Sequence, residues 1–67
     1  MNPRSKVTVK VVGVNGSTLK LIEKVSRALD RGGHTALAKE YRGRVVKAQS
    51  FNEALQLSSE FVWIGGN

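Results

Sequence analysis

A small two-layer α+β domain with element order β-α-β-β-α-β is predicted from three observations on the sequence. Residues 6–14, KVTVKVVGV, alternate apolar and polar positions as a half-buried strand does. Residues 17–31 carry an amphipathic helical pattern closed by two glycines. A second helix start at Ser50 and an apolar run, FVWI, follow near the C-terminus. With residues 34–49 taken as a hairpin between the two helices, the order is that of ferredoxin-like folds, an antiparallel sheet with both helices on one face. A three-stranded βαβαβ unit is the competing assembly, and it normally needs more chain than this.

The first strand is expected to turn Val7, Val9 and Val11 to one side and Lys6, Thr8 and Lys10 to the other. GVNGST then breaks it. Asn15-Gly16 is a strong hairpin signal, but the residues that follow have helical spacing, so Ser17 or Thr18 is read as a helix cap. At about 100° per residue, Leu21, Ile22, Val25, Ala28 and Leu29 fill one arc of about 120°. Lys20, Lys24, Arg27 and Arg31 fall within about 60° on the other side. Gly32 and Gly33 end the helix, because glycine enters the left-handed cap conformation without a clash.

Residues 34–49 are ambiguous. As strands, HTALAKEY and RVVKAQ flank a turn at Arg42-Gly43, with Leu37 and Tyr41 on one face and Tyr41, Arg42 and Arg44 at or near the hairpin tip. As a helix, TALAKEYRG has Thr35 as its cap, Gly43 as its stop and residues of good helix propensity. The hairpin is preferred because the helix would leave only a three-stranded sheet. At residue 50 a capping box begins: Ser50 can accept from the Glu53 amide, and Glu53 can reach back. In the last run, one pair of side chains, Phe61 with Trp63 or Val62 with Ile64, is expected on the sheet face away from the helices.

Sixty-seven residues make one domain, 1–67. A chain of that size buries only about 60% of its unfolded surface. There is no cysteine, which removes disulfides, thiolate metal sites and a cysteine nucleophile. No apolar run approaches the roughly 20 residues that cross a bilayer, and Lys6 and Lys10 interrupt any signal-peptide core. A soluble cytoplasmic protein with no membrane partner is expected. Eleven Lys and Arg against five Asp and Glu give a formal charge of +6, a potential that favours polyanions or an acidic protein surface.

Catalysis finds little support. The glycine-rich turn lacks the spacing and lysine of a phosphate-binding loop, and reads as a capped turn. The single histidine, His34, has no companions for a zinc site. No serine, histidine and carboxylate share a spacing that assigns them roles. No cofactor, no metal and no enzymatic activity are expected.

Two surfaces remain as candidate binding sites. The first is the helix stripe Lys20, Lys24, Arg27 and Arg31, suited to phosphates or to an acidic protein. The second is the open sheet face with Lys6, Lys10 and Trp63, suited to stacked bases or to pairing with a second copy, since exposed apolar patches commonly mark protein contacts. The apolar last strand favours the protein contact. Residues 41–57, YRGRVVKAQSFNEALQL, resemble the third strand and second helix of RNA-recognition-motif domains at Arg42, Gly43 and Asn52–Leu55. Arg44, Val46 and Ala48 stand where that family places stacking aromatics, so the resemblance implies the fold more than RNA binding. In general style the chain also resembles the small basic inhibitors and adaptors encoded by phages and mobile elements. The expected function is therefore a non-catalytic adaptor or inhibitor that docks its basic helix on an acidic protein, with a homodimer or a larger assembly as the form it could take. The alternative is a domain that contacts the phosphates of DNA or RNA.

Overall fold

From Ser17 to Gly33 the chain holds the signals of a helix. In the computed structural model, which describes residues 4–65, α1 (Thr18–Arg31) forms there. Ser17 caps it, its Oγ accepting from the Lys20 amide at 3.3 Å. Leu21, Val25 and Leu29 are fully buried, as the wheel requires. At the far end the amides of Gly32, Gly33 and His34 donate to the carbonyls of Ala28, Asp30 and Leu29. Gly33 has φ +81°, where a Cβ would collide with the backbone. Gly32 is needed for space, since a Cβ there would lie 3.0 Å from Val7.

The Asn-Gly turn ahead of α1 also forms. Asn15 and Gly16 both take positive φ, +53° and +75°, and the Ser17 amide donates to the Val14 carbonyl at 2.9 Å. This is the φ pattern of the type I′ hairpin turn. It delivers the chain into a helix instead of a second strand.

The predicted sheet does not exist. The order is β1 (Thr8–Lys10), α1, α2 (Thr35–Val45), α3 (Phe51–Ser58) and β2 (Trp63–Gly65). The two strands are parallel, with Thr8 beside Trp63, Val9 beside Ile64 and Lys10 beside Gly65. Neither the antiparallel ferredoxin-like sandwich nor the three-stranded βαβαβ alternative survives: three helices form the connection between two short strands. The predicted hairpin at 34–49 is a helix up to Val45. Ala38, Tyr41 and Val45 are its buried residues, at offsets of three and four that only a helix brings to one side. Leu37 and Tyr41, four apart, fit either a strand face or a helix face, and that coincidence misled the strand reading. Thr35 is not the cap; His34 occupies that position and makes no side-chain cap bond. Gly43 does not stop the helix, because its position is open and costs only propensity. The RNA-recognition-motif resemblance falls with the hairpin, since its strand is the end of α2 and the turn that follows it.

α3 begins as expected, with Ser50 Oγ accepting from the Glu53 amide at 3.1 Å. The reciprocal bond lands one residue early: Glu53 accepts from the Gln49 amide at 3.4 Å. After α3 the amides of Phe61 and Val62 both donate to the Ser58 carbonyl, so these residues turn rather than alternate. Phe61 and Val62 are both fully buried, and Ile64 packs against the core beside them. Of the last apolar run, only Trp63 faces outward.

Tyr41 and Phe61 are the largest fully buried side chains. Their rings meet edge to face at 5.5 Å, a favoured aromatic geometry. Ser58 Oγ donates to the Ala54 carbonyl at 2.7 Å, which leaves it to accept from the Tyr41 hydroxyl, also at 2.7 Å. Burial pushes the Tyr41 phenol above its ordinary range, and the Ser58 hydrogen bond offsets part of that rise.

Two stability measurements check this architecture. Gly43→Ala should stabilise by about 0.5–1 kcal/mol in urea unfolding, whereas Gly33→Ala should destabilise by about 1 kcal/mol or more; a turn at Gly43 would reverse the first sign. Tyr41 ionises less readily folded than unfolded. Its contribution is therefore constant below the unfolded value of about 10 and is lost as pH rises from there toward the higher folded value. Tyr41→Phe should lower stability at neutral pH, by about 1 kcal/mol, and flatten the alkaline decline relative to the parent protein.

Candidate functional site

The stripe on α1 is built as the sequence implies. Lys20, Lys24, Arg27 and Arg31 are all exposed, along about 16 Å of helix at 1.5 Å per residue. Lys20, Lys24 and Arg27, with Glu23 and Gly13, line an open depression of about 330 Å³.

The cations that form ion pairs lie away from this stripe. Arg4 and Arg44 both pair with Glu40, Arg44 also reaches Glu60 at 3.8 Å, and Arg42 reaches Asp30 at 3.5 Å. The guanidinium groups of Arg4 and Arg44 lie 5.0 and 5.8 Å from the Phe61 ring centre. Among the described residues every cation in an ion pair therefore belongs to the N-terminal segment or to α2. Among the described residues no α1 cation has a carboxylate partner, and Lys6, Lys10, Lys39 and Lys47 have none either. Arg42 and Arg44, expected at a hairpin tip, lie on α2, and Tyr41 beside them is in the core.

Lys24 is held without an acid. Its ammonium donates to the carbonyls of Lys10 at 3.1 Å and Val12 at 2.6 Å. The Trp63 amide donates to the Val7 carbonyl, so by alternation the Lys10 carbonyl points away from β2, to the free edge of β1. Lys24 satisfies that edge, as charged side chains often do. Nothing in the sequence marks this role, because it depends on where α1 crosses β1.

On the other face of the ladder, Thr8, Lys10 and Trp63 are exposed while Val9 is buried. Lys6, two residues before Thr8, is exposed and shares their side by alternation. The residues expected on the open sheet face are thus together on it. His34 lies at the α1–α2 junction, where its Cδ2 is one of the atoms that crowd Gly32, and it forms no hydrogen bond with a serine or carboxylate among the described residues. No helix among them is long and apolar enough to cross a membrane, and none of their His, Asp and Glu side chains gather in threes as metal ligands.

Comparison with protein-family models, curated proteins and solved structures found no match to this chain.

If Lys24 closes the β1 edge, the four stripe residues must differ in stability cost. Lys24→Met should destabilise by about 1 kcal/mol, the scale of an exposed charged hydrogen bond. Lys20→Met, Arg27→Met and Arg31→Met should each change stability by less than about 0.5 kcal/mol, as read by chemical unfolding.

Proposed function

We propose that this chain is a non-catalytic nucleic-acid-binding protein of the cytoplasm, making phosphate contacts through Lys20, Lys24, Arg27 and Arg31. One observation carries the reading: among the described residues the four α1 cations have no carboxylate partner, while Asp30, Glu40 and Glu60 pair with Arg4, Arg42 and Arg44. Like charges on one arc destabilise the helix by a few tenths of a kcal/mol per pair, and a row of phosphates relieves that repulsion. Phosphate contacts of this kind confer affinity and orientation with little sequence preference.

Docking on an acidic protein is the second reading. The apolar last strand that favoured it is spent in the core at Phe61 and Val62. What favours it now is Leu19, 75% exposed beside Lys20, together with exposed Val12 next to the Lys24 ammonium. Apolar side chains next to cations suit a protein surface better than a phosphate backbone.

Salt titration of labelled oligonucleotides tests the first reading. Four phosphate contacts should give log affinity falling with log salt at a slope of about −3 to −4. The Lys20→Gln/Arg27→Gln/Arg31→Gln variant keeps Lys24 for folding; it should make the slope shallower by about 2 to 3 and lose at least roughly tenfold in affinity at low salt. Unchanged oligonucleotide binding in that variant, or none in the parent protein, overturns it. Leu19→Ser should leave phosphate binding unaltered; a protein complex that Leu19→Ser weakens would support the second reading.

A further inference from the structure

Parallel strands are usually covered on both faces. Among the described residues the ladder is covered on one side only. Val9 and Ile64 pack on the core, while the other side presents Lys6, Thr8, Lys10 and Trp63. Trp63 is 48% exposed and stands in register with Thr8, while Gly65, in register with Lys10, adds no side chain to that face. An exposed indole beside Thr8, with Lys10 on the same face, brings an aromatic ring and positive charge together. The helix stripe is continuous with this face, because the Lys24 ammonium sits 3.1 Å from the Lys10 carbonyl.

We propose that this joined surface binds a single-stranded nucleic acid, with one base stacked on the Trp63 indole. Flanking phosphates run past Lys6 and Lys10 to Lys24, Lys20 and Arg27. The inference rests on the nucleic-acid reading above and names the form of the ligand. Duplex bases are stacked on one another and expose no face to an indole, whereas a single strand can turn a base outward. A second copy is a poor occupant: symmetric pairing would set Lys6 and Lys10 of two chains against each other, which like charges oppose.

Trp63 is the only tryptophan in the chain, so its fluorescence reports this contact directly. Oligo-dT and oligo-rU of about ten nucleotides, within the usual footprint of such surfaces, serve as probes. Both binding anisotropy and tryptophan emission are followed, with a DNA duplex and heparin as comparison polyanions. The expected result is saturable quenching by the single strands at the same midpoint as the anisotropy, and little quenching by duplex or heparin. Trp63→Leu should weaken single-strand binding roughly 5- to 100-fold, the effect of losing one stacked base. Trp63→Phe should restore most of it, with both variants checked for an unchanged circular dichroism spectrum. Single strands that bind without quenching, or bind Trp63→Leu as tightly as the parent, overturn the stacking platform and leave phosphate binding standing. Failure of every nucleic acid to bind overturns both.

Discussion

The seam between the first and last segments of the chain is the contact on which the rest depends. The amides of Arg4 and Ser5 donate to the carbonyls of Glu60 and Phe61, and the Trp63 amide donates to Val7. Buried Ser5 adds a side-chain bond to the Phe61 carbonyl at 2.6 Å. The parallel ladder then continues from Thr8 and Trp63 to Lys10 and Gly65. Two parallel strands are a weak structure alone, but this pair fixes the residues on either side of it. Phe61 and Val62 are held at the centre because their backbone is tied to the N-terminal segment. With Phe61 in place, Tyr41 has its edge-to-face partner and Ser58 is positioned to accept the phenol. In a domain whose core is small for its surface, a long-range seam of this sort determines whether the helices have anything to pack upon.

The seam also explains which parts of the fold were legible. Features that depend on near neighbours could be read directly: the Ser17 cap, the buried side of α1, the glycine exit, the Ser50 cap and the outward Lys10 of β1 with Lys6 ahead of it. The hairpin failed because its evidence was of the wrong kind. Leu37 and Tyr41 satisfy two periods at once, and Gly43 reads as punctuation although an open helical position tolerates it. The stronger pattern, Ala38, Tyr41 and Val45, contains a small residue that hydropathy underrates and an aromatic whose hydroxyl needs a buried partner supplied from α3. The last strand failed for a related reason. Phe61-Val62-Trp63-Ile64 reads as alternation only if it is extended throughout, and its first two residues belong to the turn that leaves α3.

For the surface, residue type and exposure were legible but arrangement was not. The stripe and the open sheet face could be described separately, with Lys6, Lys10 and Trp63 on one and the α1 cations on the other. That they meet at Lys24 follows from the crossing of α1 over the end of β1, a tertiary fact with no local signature. The division of charge is of the same kind. Asp30 and Glu40 lie in helical patterns like that of Glu23, yet only the packing of α2 shows that they serve Arg42, Arg44 and Arg4.

That division gives the molecule two electrostatic sides with different physical characters. Around Phe61, cations and acids neutralise one another over an aromatic ring, and their charge is spent within the fold. Along α1 and β1 the positive charge is left facing water. Within that second side, Lys24 differs from its neighbours because two carbonyls fix its ammonium before any partner arrives. Long cationic side chains lose rotamer freedom when they bind, at about 0.5–1.5 kcal/mol each. Lys24 bears that cost in folding, whereas the side chains of Lys20, Arg27 and Arg31 have no ion-pair partner among the described residues. The surface therefore combines one preset positive point, beside the sheet, with adaptable cations along the helix. The rigid point lies at the free edge of β1, on the side away from β2 and Trp63, so the two ends of the cationic surface differ in how freely their charges can adjust.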